Sequence, residues 1–133
     1  MTSSEFVENF IKAFANNVSK DLLKKYHVGK KKNDFLWNLF ASKLVCCFEG
    51  DEARKEYDKV SKDNAIEIQY DNGFLGIGFN EISPLPNEHY SSLEIDNVGI
   101  PELYVLDKDF SWCYIITHEF NLCGPYFCYR SRN

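Results

Sequence analysis

Apolar side chains recur every four residues at Phe6, Phe10, Phe14 and Val18, with Val7, Ile11 and Leu22 thickening the stripe. That spacing predicts an amphipathic helix laid on a core. Thr2 and Glu5 are spaced as a capping box, and the early acids Glu5 and Glu8 and late lysines Lys20, Lys24 and Lys25 suit the helix dipole. Asn16-Asn17 can break the helix into two pieces, and Gly29 ends it. A second helix is predicted over Asp34–Leu44, capped by Asn33 or Asp34, with Leu36, Phe40 and Leu44 on one face. Trp37 falls off that line, at an edge where its indole N–H can find water or a partner. A third helix runs from Asp51 to about Lys62 with Ala53, Tyr57 and Val60 as its apolar line. The carboxylates of Glu49, Asp51 and Glu52 are accounted for as helix-start chemistry rather than a catalytic acid cluster.

At Ala65 the period changes from helical to alternating. Ala65–Tyr70, a turn at Asp71-Asn72-Gly73, and Phe74–Phe79 read as a β-hairpin, because Asn-Gly supplies the positive φ such turns need. Gly73, Gly76 and Gly78 lie inside this strand-like run with no helix or Lys-Ser/Thr pair after them, which excludes a phosphate loop. Glu81–Val98, with Pro84, Pro86 and His89, reads as an irregular excursion holding a short strand at Leu93–Ile95. Three more strands follow at Glu102–Leu106, Trp112–Thr117 and Gly124–Tyr129, linked by turns at Asp107–Asp109 and Asn121–Pro125. The expected fold is therefore α+β: N-terminal helices packed on one face of a mainly antiparallel sheet. It forms one domain over 1–133, helical to about residue 62 and sheet from about 63.

Composition narrows the class. With 133 residues, 44% apolar and 26% charged, the chain can bury a core of its own, and no apolar run approaches the roughly 20 residues of a membrane-spanning helix. No basic-then-apolar leader opens it, so a soluble, cytoplasmic protein without a membrane partner is expected. Cys46, Cys47, Cys113, Cys123 and Cys128 are an odd number without paired Cys-x-x-Cys spacing, so neither a disulfide framework nor a metal site is expected, and no cofactor is implied.

The charge is unevenly divided. Through Lys62 there are twelve Lys and Arg against nine Asp and Glu; from Asp63 onward there are three against eleven. An acidic sheet half attracts a basic partner and repels phosphate, although acidic surfaces also serve solubility alone. Lys30-Lys31-Lys32 reads as a solvated loop, and nucleic-acid binding is not expected, since the basic part lacks interleaved exposed aromatics.

One place joins an imidazole to a carboxylate: Thr117-His118-Glu119, at the end of the middle strand. His118 with Glu119, or with Cys113 or Cys123, has the residue types of a general base or nucleophile pair. Strand neighbours point to opposite faces, however, and no oxyanion donors are spelled out. The alternative is a structural histidine bonded to backbone or to an acid such as Asp109.

Leu36-Trp37-x-x-Phe40, Glu49-Gly50-Asp51-Glu52-Ala53-Arg54, Asp107-x-Asp109-Phe110-x-Trp112, Thr117-His118-Glu119 and Gly124-Pro125-Tyr126-Phe127 together resemble an uncharacterised family of small bacterial proteins, domain of unknown function 4275. The resemblance covers about Leu36 to Tyr129. It implies a compact cytoplasmic α+β domain similar to the antidotes of polymorphic toxin systems, and carries no catalytic residue. The function expected is an immunity-type protein that neutralises a toxin by stoichiometric binding, its partner a basic domain such as a nuclease. The contacts expected are Glu81, Glu88, Glu94, Asp96, Glu102, Asp107 and Asp109. A small enzyme using His118 and Glu119, and a housekeeping interaction module, are the alternatives.

Overall fold

Covering both faces of one sheet with helices organises the chain, as a computed structural model that describes residues 1–73, 75–119 and 122–131 shows. The sheet has six strands in the order β1-β6-β5-β4-β2-β3, every neighbouring pair antiparallel. These are β1 (Phe48–Glu49), β2 (Ala65–Tyr70), β3 (Phe79–Ile82), β4 (Leu103–Asp107), β5 (Trp112–Ile116) and β6 (Tyr126–Tyr129). The α+β class expected from the sequence is the fold observed, but the helices cover both faces rather than the one expected, because those at Asp51–Lys59 and Ser92–Asp96 pack on the side opposite the one at Ser3–Phe14.

The first helix begins as its sequence dictates: the Thr2 hydroxyl accepts from Glu5 N at 3.1 Å and Thr2 N donates to Glu5 Oε1 at 2.9 Å, closing the capping box. It breaks after Phe14, and a second piece follows a Ser19 cap, giving α1 (Ser3–Phe14) and α2 (Lys20–Lys25). Phe6, Phe10 and Phe14 are fully buried against Ile66, Ile68, Tyr104, Leu106 and Ile115 of the sheet. The second predicted helix shrinks to α3 (Asn38–Ala41). Asp34, expected as its cap, instead accepts from Lys31 N at 3.0 Å in the preceding turn.

The next helix, α4 (Asp51–Lys59), leaves β1 through Gly50, whose φ of +65° favours glycine, and crosses to the opposite face. There Ala53 and Tyr57 pack with Leu103, Val105, Trp112, Tyr114 and Phe127. Tyr57 stacks on Tyr114 with ring centroids 4.2 Å apart. Strand alternation thus divides β4 and β5 between two cores, Tyr104 and Leu106 facing α1, Leu103 and Val105 facing α4.

The excursion is more ordered than its composition suggested. After the buried Asp71, whose carboxylate accepts from Leu75 N at 3.0 Å and Ile77 N at 2.8 Å, the partner strand of β2 starts only at Phe79. Phe74, where that strand was expected to begin, lies outside the described residues. Asn87–His89 form a short 3-10 turn, and Leu93–Ile95, expected as strand, belong to α5 (Ser92–Asp96), capped by Ser91 Oγ on Glu94 N at 3.2 Å. The Ser-Ser run supplies a helix cap, which outweighs the β preference of three residues. The Asp107–Asp109 hairpin forms as expected, with Ser111 N on Asp109 Oδ1 at 2.9 Å. Of the Asn121–Pro125 turn, Asn121 is outside the described residues.

Phe6 is the joint of the larger core, its ring edge-on or tilted to Phe10, Tyr70, Phe79, Tyr104 and Phe110 at 5.4 to 6.3 Å. Phe6→Ala is expected to lower unfolding free energy in urea by about 3–5 kcal/mol, the range for emptying a packed phenylalanine site. A loss under about 1 kcal/mol would mean that α1 is only loosely docked.

Candidate functional site

Two carboxylates lie wholly inside the protein, one at each side of the sheet. Glu102, immediately before β4, has φ +54° and no exposed surface. Its Oε2 accepts from the Trp37 indole at 2.9 Å, its Oε1 accepts from His118 N at 2.9 Å, and the same oxygen meets His118 Nδ1. Its own carbonyl accepts from Tyr70 N at 3.2 Å. Glu102 therefore fastens the approach to α3, the end of β2, the start of β4 and the turn after β5. A buried carboxylate needs such donors, because an unpaired charge in the interior costs several kcal/mol.

This is the acid that partners His118; the sequence suggested Glu119 or Asp109. Glu119 instead receives Cys123 Sγ at 3.8 Å, and its N–H donates to Thr117 Oγ1 at 3.1 Å. The His118 ring lies 5.3 Å from Phe35 and 5.6 Å from Trp37, and its side chain is 19% exposed. A carboxylate-held imidazole has the parts of a general base. Here, though, it sits against two aromatic rings and lines none of the three cavities described for the molecule. Trp37, placed at an edge by its spacing, is 5% exposed and buried with the indole satisfied by Glu102.

The second carboxylate, Glu67, points to the α4 face. Its Oε1 meets His89 Nδ1 and its Oε2 accepts from Gln69 Nε2 at 2.9 Å, with both Glu67 and His89 buried. Tyr57 donates its hydroxyl to the His89 carbonyl. One residue further along, Asp58 accepts from Ser92 N and Ser92 Oγ, each at 2.8 Å. Asp96 accepts from Arg54 Nε at 2.6 Å and from the Tyr114 hydroxyl at 3.3 Å. Burial opposes the Arg54 charge, but the bonds to Asp96 and Asp51 prevail and raise its pKa. The 3-10 turn and α5 are thus riveted to α4 and the sheet from beneath.

Their outer side is bare. Tyr90, Leu93 and Val98 are 40%, 74% and 38% exposed, interleaved with the exposed Glu88 and Glu94. Sequence reasoning named these acids as contacts but gave no role to Tyr90, Leu93, Val98 or His89, because the stretch reads as a polar loop. The cap signal at Ser91-Ser92 was the available clue.

The seven acids expected at a partner surface do not form one patch. Glu88, Glu94 and Asp96 gather on the 3-10 turn and α5. Asp107 and Asp109 occupy the β4–β5 hairpin, at the other end of β4 from Glu102. Glu81, on edge strand β3, pairs with the Met1 amine at 2.9 Å. Glu102 is closed to any partner by burial, which corrects its assignment as a contact.

Four cysteines cluster loosely where β1, β5 and β6 meet. Cys113 and Cys128 face each other across β5 and β6, and Cys128 Sγ approaches the Cys46 carbonyl at 3.7 Å. All five are free thiols. Burial pushes the Cys47 and Cys128 thiols up to about 12 and Cys113 well above the ordinary value. Among the described residues no three His, Cys, Asp or Glu side chains gather as a metal ion requires, and no helix is long and apolar enough to cross a membrane.

Glu102→Ala strands the Trp37 indole and His118 and is expected to cost about 3–5 kcal/mol in urea unfolding. Loss of the same hydrogen bond from the other side, by Trp37→Phe, should cost nearer 1–3 kcal/mol. If Glu102→Ala were as stable as the parent, the clamp would have no structural weight. With a disulfide reagent at pH 8, the exposed Cys46 should react promptly, whereas Cys47, Cys113 and Cys128 wait for unfolding. Rapid labelling of Cys128 in the native state would contradict its burial.

No curated protein and no solved structure matches this chain. A family model does, over residues 2–127, so the match takes in α1, α2 and the whole sheet up to Phe127 and not only the segment from Leu36 onward. The chain belongs to the family described as Domain of unknown function (DUF4275).

Proposed function

We propose that this chain is a bacterial, cytoplasmic immunity-type protein that neutralises a toxin by stoichiometric binding, and that the toxin domain is basic, as a nuclease is. The observation that carries the reading is the outer side of the 3-10 turn and α5: exposed Tyr90, Leu93 and Val98 set among exposed Glu88 and Glu94. Apolar and aromatic anchors within a charged surround are what a specific interface needs. No Lys or Arg occurs from Asp63 to Asp107, so the surface offers a basic partner attraction with little opposing charge. The bonds from Glu67, Tyr57, Asp58 and Arg54 hold the platform in place before contact, which lowers the ordering cost of binding. A stoichiometric inhibitor requires no catalytic group of its own, and His118 is engaged by Glu102.

The test is co-expression with a basic toxin domain sought among the proteins encoded beside it. Growth should be rescued by the parent chain, and the two should copurify one to one. Glu88→Lys with Glu94→Lys should slow association about tenfold or more and flatten its salt dependence, whereas Asp109→Lys, at the remote hairpin, should change little. Equal rescue by the doubly reversed variant at limiting expression would sink this surface as the interface.

A further inference from the structure

Behind α5 the fold leaves a cavity of about 270 Å³, and it is mostly apolar. Its walls come from Ile95 at the inner side of α5, Ile100 and Pro101 in the following loop, and Ile116 at the end of β5, with Arg54 and Thr117 as polar members. The size falls just under the roughly 300 Å³ at which pockets for drug-sized ligands begin, so it accommodates one ring system rather than a cofactor. Apolar walls of isoleucine and proline suit the faces of an aromatic ring. Arg54 adds a guanidinium whose orientation is fixed by Asp96 Oδ2 at 2.6 Å and Asp51 Oδ1 at 2.8 Å, a geometry able to stack on such a ring.

We propose that this cavity receives an aromatic side chain of the partner, carried on a segment with basic residues on both sides. The proposal rests on the immunity reading and specifies which part of the partner that site recognises. Charge complementarity selects the flanks. Around the cavity Arg54 is neutralised by two aspartates, Asp51 and Asp96, and the loop from Asn97 to Pro101 contributes no cation. The α4 lysines Lys55 and Lys59 are engaged with Glu52 at 3.8 Å and Glu56 at 2.9 Å. Val98, the sequence neighbour of the lining Gly99, is itself an exposed apolar side chain.

The full chain, with isoleucine methyls labelled for NMR, is titrated with three capped tripeptides: tryptophan between two lysines, alanine between two lysines, and tryptophan between two glutamates. The first should move the methyls of Ile95, Ile100 and Ile116 by its ring current, leaving Ile66, Ile68 and Ile115 on the opposite face unmoved. The alanine peptide should leave the three cavity methyls in place, and the glutamate-flanked peptide should bind about tenfold more weakly. Ile100→Trp, which fills the cavity, should abolish the tryptophan response while the Ile66 signal reports a folded core; if that variant unfolds, Cys123→Leu narrows the same space from the other wall. Equal responses to the alanine and tryptophan peptides, or none in the cavity methyls, would overturn the proposal. Peptide responses absent while the neighbouring toxin is still neutralised remove the cavity's role and leave the immunity reading intact. Peptide responses as expected, with no toxin neutralised, support the cavity's preference and remove the immunity reading instead.

Discussion

A sheet enclosed on both faces admits a charge only where the fold brings it donors, and that constraint shapes this protein. Glu67 and Glu102 are both without exposed surface, and each is met by a histidine that arrives from a distant part of the chain. Because the donors come from the residue before α3, the 3-10 turn and the turn after β5, the carboxylates act as assembly points as much as residues of their own strands. Removing an acid would leave its donors unpaired in a dry interior, a larger penalty than the loss of any exposed ion pair here.

The two clamps have different consequences. Glu102 joins Trp37 to His118 and consolidates the side of the molecule covered by α1 and α3. Glu67 and its surroundings secure the 3-10 turn and α5, so a short stretch with few contacts of its own becomes a firm platform. The exposed apolar side chains of that platform are then the ones left over after Leu85, His89 and Ile95 have turned inward. Binding surface and buried network are two sides of one short segment, which is why rigidity beneath and availability above coincide.

Charge follows the same layering. Helices α1 and α2 and the loop after them hold seven of the lysines, while the stretch from the 3-10 turn through α5 holds exposed acids with no cation of its own. The sheet keeps the two fields apart by its own thickness plus a helix on each side, about 20 Å from face to face by ordinary packing distances, so they are largely screened from one another at physiological salt. A partner approaching the α5 side meets a predominantly acidic surface.

By itself the sequence determined the elements whose signals are local. The Thr2–Glu5 capping box, the break near Asn16-Asn17, the start of α4 at Asp51 and the strands β2, β4, β5 and β6 all follow from spacing, caps and turn residues within a few positions. Tertiary structure decided what depends on residues far apart. Alternation in Ala65–Tyr70 reads as a strand with Glu67 turned to water; the crossing of α4 and α5 to that face buries it instead. Glu102 reads as a surface acid until Trp37 and His118, 65 positions before it and 16 after it, are brought to its two oxygens. Local propensity carries no information about which side of a sheet a later helix will cover or which distant donors will reach a carboxylate, and those two choices made Glu67 and Glu102 the interior fastenings of the fold.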